Sequence, residues 1–367
     1  MRKTLLITLG YVAFALIALL CLEGAFSIAR WKHADRSMVY DGYQLFGQRF
    51  STPPLSVLPL AGRDEIESLI PAMIAAGLGM GNIPYKELVT DRASINEIGP
   101  DGCQGPKPNL LKTTTYIRSV DYDLFDPPSL FFDRGADLGE PLTQFIKNYS
   151  ISMADFSTNS DRERVTLPVI ASQRKVLVAG DSVAVGAMIG DNDTLSSQLQ
   201  KRDASAQYVN LGVNGAPAEE IVCRLQSAAK RFNQQIVHII YVYSENDFDL
   251  QRPYGKPEEV IAWLKIFATQ QNNAKITIVF APYIYNIIPN LTRFPKSRGA
   301  DHKTFIAERD TLQRETLKAG FNFVNIGEIA LKEAVDKQTD FAAFALFVDH
   351  AHLSKFGVSK LADRLLE

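Results

Sequence analysis

From residue 175 to the C-terminus the chain alternates short apolar runs with amphipathic stretches, and that order leaves few folds open. The runs at 175–179, 208–211, 236–243, 276–280 and 323–326 are apolar on successive residues rather than on every second one, as strands buried on both faces must be. Between and after them, 218–232, 257–270, 304–318 and 355–366 carry apolar residues at helical spacing. Alternation of this kind predicts an α/β domain with a parallel sheet covered by helices on both sides. Its crossovers are right-handed and its site lies at the carboxyl ends of the strands.

Four short motifs stand at those ends. The first strand leads into Gly180-Asp181-Ser182, and a serine at a strand-to-helix turn is held exposed beside free helix N–H groups. Taken alone it is an ordinary helix cap. The second leads into Asn210-Leu-Gly-Val-Asn-Gly215, where Gly215 could present its N–H to a substrate oxygen or simply make a tight turn. The third ends at Tyr243-Ser-Glu-Asn-Asp247, where Asn246 is a candidate amide donor and also a common turn former. Near the C-terminus Asp349-His350-Ala351-His352 lets Asp349 meet His352 across one turn. The carboxylate would fix the imidazole tautomer and stabilise its protonated form. His350 is the rival histidine. A metal reading needs further ligands, and His33, His238 and His302 are not spaced to supply them. No metal and no cofactor is expected.

Together the four motifs resemble the SGNH (GDSL-like) hydrolases, whose four sequence blocks are matched in order by Gly180-Asp181-Ser182, Gly215, Asn246 and Asp349-x-x-His352. The resemblance covers about residue 175 to the end. It implies a flavodoxin-like three-layer α/β/α fold and an acyl-transfer site. In that site Ser182 is the nucleophile, His352 the general base and then acid, and Asp349 its orienter. Ser182 N–H, Gly215 N–H and the Asn246 side chain form the oxyanion hole. Two positions depart from the family pattern. Val183 replaces the leucine of the GDSL name, and Ser244 replaces the glycine of Gly-x-Asn-Asp, which puts the aim of Asn246 and the width of the pocket in question. The implied activity is that of a serine esterase cleaving an O-acyl ester on a carbohydrate or lipid. An O-acyltransferase modifying a surface polysaccharide, or a catalytically silent anchored scaffold, are the alternatives.

The N-terminus bears on where this happens. Arg2 and Lys3 precede an uncharged apolar run over 4–22, which at about 1.5 Å per residue just spans a hydrocarbon core of about 30 Å. Residues 1–33 therefore read as a single membrane anchor and its flank, with the basic end inside and the rest of the chain extracytoplasmic. A cleaved signal peptide, with Ser27 and Ala29 near the cleavage site, is the alternative, and it exports the domain equally. Cys103 and Cys223, the two cysteines outside the apolar run, are free to pair in an oxidising compartment or to remain buried thiols. The 39 basic residues are balanced by 41 acidic ones, which leaves no surplus for a phosphate backbone, so nucleic acid is not an expected partner.

Residues 34–172 show no sustained period and read as an irregular accessory region, in which 113–133, with β-branched and aromatic residues and Asp-Pro-Pro, suits short strands and turns; the catalytic domain is over 173–367. Gly77-Leu-Gly-Met-Gly81 lacks a preceding strand and has Pro84 close behind, so it reads as a turn and not as a phosphate loop. The segment 283–303, rich in aromatic and basic residues, reads as a surface loop or a substrate-shaping one.

Overall fold

A computed structural model describes residues 68, 79–81, 95–117, 129–148, 151–248, 252–287, 302–337, 345–348 and 351–367. The 4–22 run and the anchor read from it lie outside the described residues, as does 288–301 of the surface loop. Among the described residues no helix is long and apolar enough to cross a membrane.

The stretch expected to be irregular contains an antiparallel sheet. Its elements are β1 (Gly79–Gly81), the short pair β2 (Asn96–Ile98) and β3 (Gln104–Pro106), β4 (Leu111–Ile117), β5 (Ser129–Asp133), α1 (Gly139–Asn148) and β6 (Ile151–Ser157). Four of the strands pair in the order β1-β5-β4-β6. The glycine-rich segment read as a turn is thus an edge strand, with Gly79 opposite Phe131. Central strand β4 hides its polarity well. Thr113, Thr114 and Thr115 are all buried, β-branched side chains that suit a pleated surface.

The second half follows the alternation. It runs β7 (Lys175–Ala179), α2 (Ser182–Val185), α3 (Leu195–Arg202), β8 (Gln207–Asn210), α4 (Ala218–Phe232), β9 (Ile236–Ser244), α5 (Pro257–Gln270), β10 (Lys275–Ala281), α6 (Ile284–Ile287), α7 (His302–Lys318), β11 (Asn322–Asn325), α8 (Ile326–Lys337) and α9 (Lys355–Leu366). All pairs are parallel, in the order β11-β10-β9-β7-β8. Read from the other edge this is the 2-1-3-4-5 order of flavodoxin-like sheets, whose switch point lies between the first and third strands, here β7 and β9.

The strand side chains explain the layers. Val176 and Val178 face one side and pack with Leu195 and Leu199 of α3, Ala330 of α8 and Leu361 of α9. Leu177 and Ala179 face the other and pack with Ile221 and Leu225 of α4, Leu264 of α5 and Leu312 of α7. Each fully buried Leu or Val contributes on the order of 1.5–3 kcal/mol, so a strand flanked by two such layers has one stable place to sit. The helix starts follow local chemistry. Pro257 opens α5 with Glu258 and Glu259 behind it. Thr194 and Ser354 cap α3 and α9 through their hydroxyls, which accept from Ser197 N and Gly357 N.

Candidate active site

Strand β7 ends at the switch point, and Gly180 makes the exit feasible. Its φ is +150°, and a Cβ there would meet Val242 O of β9 at 2.6 Å, closer than any side chain tolerates. The chain then turns at once into α2, a single helical turn beginning with Ser182. Asp181 caps that turn, its Oδ1 accepting from Val183 N at 2.9 Å. From β8 the loop returns beneath it. Gly212 packs so close that a Cβ would lie 2.1 Å from Val185 N. Asn210, fully buried, donates to Ala184 O at 3.2 Å and accepts from Gly212 N at 3.0 Å.

His352 reaches the same point from the far end of the sequence. Phe347 and Leu353 bridge antiparallel, and Val348 N donates to His352 O at 2.8 Å, which fixes His352 just ahead of α9. Held there, His352 Nε2 lies 2.8 Å from Ser182 Oγ, a hydrogen bond between residues 170 apart in sequence. Ser182 is 9% exposed, so its hydroxyl sits at the floor of the site.

Of the other residues expected in the site, Gly215 lies in the β8–α4 loop with φ +70° and open space around it. It lines a cavity of about 210 Å³ with Pro217, Glu219, Asp247 and Arg252. Asn246 lies in the 3-10 turn Glu245–Asp247 directly after β9, and its side chain is outside the described positions. Asp349 and His350 also lie outside the described residues. His238 is set apart from the site. It is half-buried in the sheet, bonded to Thr277 Oγ1 at 2.9 Å, and desolvation lowers its pKa to about 4, so it stays neutral near pH 7. Among the described residues no group of three or more His, Cys, Asp or Glu is arranged to hold a metal ion.

Ser244, where the family pattern has glycine, does not narrow the cavity. It is 2% exposed and lies under the turn, where its hydroxyl donates to Asp181 Oδ1 at 2.7 Å. Its own N–H donates to Asp247 Oδ2 at 2.8 Å in a reciprocal capping box. Burial, and then the neighbouring Asp181 carboxylate, push the Asp247 carboxyl well above the usual carboxylate range. Burial likewise pushes Glu245 up to about 8, although it accepts from Tyr283 N at 2.7 Å and from the Asn286 amide. The extra hydroxyl therefore ties the turn after β9 to the turn after β7.

Sequence reasoning missed the contribution of the accessory half. Cys103 and Cys223 form a disulfide joining the β2–β3 pair to α4. Gln104 N donates to Glu220 at 2.9 Å and Asn96 Nδ2 donates to Asn214 O, beside Gly215, at 3.1 Å. Arg164, just after β6, sends a buried side chain to the turn that carries Ser182. The pairing of Cys103 with Cys223 was one of the two readings left open by the sequence; nothing in 34–172 marks Asn96, Gln104 or Arg164, because their partners belong to other elements of the fold.

No family model and no curated relative matches this chain. The solved structures it is similar to include a member of the lipolytic protein G-D-S-L family from Veillonella parvula, 14% identical, with a TM-score of 0.40 over 53% of this chain and 96% of that one. A carbohydrate acetylesterase family member from Sinorhizobium meliloti is 15% identical, with a TM-score of 0.38 over 53% and 95%. An acetyl xylan esterase is 13% identical, with a TM-score of 0.41 over 52% and 98%. These likenesses are distant. The chemistry of the site is read from this chain's own residues.

Proposed function

We propose that this chain is a serine esterase of the SGNH type that cleaves an O-acyl ester through an acyl-serine intermediate. The observation that carries the reading is the 2.8 Å contact between His352 Nε2 and Ser182 Oγ at the switch point of the sheet. In this reading Ser182 Oγ attacks the ester carbonyl while its proton passes to His352 Nε2. The tetrahedral oxyanion is held by Ser182 N–H, Gly215 N–H and the Asn246 side chain, and Asp349 steadies the imidazolium. Collapse expels the alcohol, which takes the proton from His352, and leaves the acyl group on Ser182. A water then adds to the acyl carbonyl as His352 accepts its proton. Collapse of that adduct returns the proton to Ser182 and releases the acid. None of these steps calls for a cofactor.

The substrate in this reading is an acylated carbohydrate or lipid outside the cytoplasm. Two features support the location. Arg2 and Lys3 stand before the apolar run, and the Cys103–Cys223 bridge belongs to oxidising compartments. A reporter fused after Glu367 is expected to be active only when it needs export, and activity of a cytoplasm-dependent reporter would overturn the location.

The reaction is tested with a panel of short-chain aryl esters and acetylated sugars, on which the full chain is expected to release free acid. Asn246→Ala separates the oxyanion assignment from that of a turn residue. A donor aimed at the developing charge binds the transition state more tightly than the ester, so its loss falls on kcat. The expected cost is about 10²–10³ in kcat with KM changed little. A well-folded Asn246→Ala with parental kcat on every accepted ester would remove Asn246 from the site.

A further inference from the structure

We propose that Arg164, from the segment that precedes the parallel sheet, is a positioning residue for the nucleophile, acting through the backbone of the turn that carries Ser182. The inference rests on the reading of Ser182 as nucleophile.

A helix leaves its last carbonyls without partners, and α2 is only one turn long, so almost all of its acceptors are of this kind. Two are met locally, Ser182 O by Ala187 N at 2.9 Å and Val183 O by Gly186 N at 3.2 Å. Asn210 serves Ala184 O. The remaining pair, Val185 O and Gly186 O, take long bonds of 3.5 Å from Asn210 Nδ2 and Ile189 N and their short ones from one guanidinium. Arg164 Nη1 donates to Val185 O at 2.9 Å and to Gly186 O at 2.5 Å, placing a positive charge at the negative end of the turn.

The same side chain is fixed from every other direction. Nη2 donates to Asp155 O at 2.9 Å and to Ile189 O at 2.6 Å, and Nε donates to Asp191 Oδ1 at 3.1 Å. Arginine has five N–H donors, and these bonds occupy all five. The guanidinium also lies 4.5 Å above the Phe156 ring, and the side chain is 1% exposed. Asp191 in turn accepts from Ser157 N at 3.0 Å, so the end of β6 is tied to the same knot. A lysine offers three donors on a compact head and cannot span these acceptors, so the carbonyls of the turn lose their fixed partners.

A comparison residue exists in the same segment. Arg162 is also buried, and its guanidinium donates to Glu97 O, Pro106 O, Cys103 O, Gly105 O and Asp101, all within 97–106 and none on the turn. A merely structural arginine at either place would lower stability and leave reactivity alone. The test measures, on the full chain, the rate of Ser182 labelling by a fluorophosphonate, kcat and KM on an accepted aryl ester, and Tm, for Arg164→Lys and Arg162→Lys. Amide exchange of the peptide covering 182–190 is followed in both.

Arg164→Lys is expected to fold, to label about 10- to 100-fold more slowly, and to lose kcat with KM nearly unchanged, since a displacement of about 1 Å costs that much. Exchange over 182–190 is expected to quicken. Arg162→Lys is expected to lower Tm and to label at the parental rate. If Arg164→Lys does not fold, Asp191→Ala, which removes the acceptor of the arginine's Nε, is expected to slow labelling in the same sense. Parental labelling in the folded Arg164 or Asp191 variant, or equal slowing in Arg162→Lys, would overturn the proposal. If the parent itself is not labelled at Ser182, the esterase reading fails separately. Unchanged exchange over 182–190 in Arg164→Lys would then overturn the clamp as well.

Discussion

Ser182→Ala is expected to remove ester turnover, with kcat falling by roughly 10⁴- to 10⁶-fold, and to remove covalent labelling entirely. The size follows from the role. Without the hydroxyl no acyl-serine forms, and only the oxyanion donors and binding remain to accelerate attack by water. The fold should not suffer, because the turn is held by Asp181, Asn210 and Arg164 through groups other than the Ser182 hydroxyl, which bonds to His352. Circular dichroism and Tm of the purified variant establish that it is folded, and turnover on the best ester of the panel gives the loss. A folded Ser182→Ala that keeps a tenth of the parental kcat would place the nucleophile elsewhere.

The second large effect is expected at His352. His352→Ala leaves the Ser182 hydroxyl in place and takes away the atom 2.8 Å from it that accepts its proton. The expected loss in kcat is of the same order as for Ser182→Ala, and labelling by the phosphonate slows in parallel, because both reactions need the activated hydroxyl. Groups that act as a unit are not additive, so Ser182→Ala with His352→Ala should be no slower than either alone. His350→Ala is expected to keep most of the parental activity. Kinetics of the four variants on one ester decide the matter, and a larger loss from His350→Ala than from His352→Ala would exchange the two histidines.

The parallel sheet was legible because its strands are buried on both faces, so the runs at 175–179 and 236–243 are apolar on successive residues apart from Lys175 and His238. Helices α4, α5 and α9 were legible to the residue, since Glu219 and Glu220, Pro257, and Ser354 mark their starts. Helix α3 was not, because it is eight residues long and buries Ser196, Ser197 and Gln200 in place of an apolar stripe. Strands β4 and β5 fall where 113–133 suited short strands, but their pairing into one sheet and the three-residue β1 escaped, because neither β1 nor the threonines of β4 produce alternation of apolar with polar side chains. At the site, Ser182 could be read from a motif at a strand end and His352 from the Asp-x-x-His motif ahead of the last helix. The use made of Ser244 and Arg164 could not. A hydroxyl bonded to Asp181 and a guanidinium bonded to carbonyls up to 25 residues away look in sequence like any surface serine or arginine.

The central claim is that one hydroxyl, Ser182, is activated by His352 to attack an acyl carbon. Its most direct test is to treat the full chain with a fluorophosphonate, weigh the intact protein and map the adduct by peptide mass spectrometry. The account predicts a single adduct, located on Ser182 and lost when His352 is alanine. No adduct, or an adduct on a different serine, would contradict it.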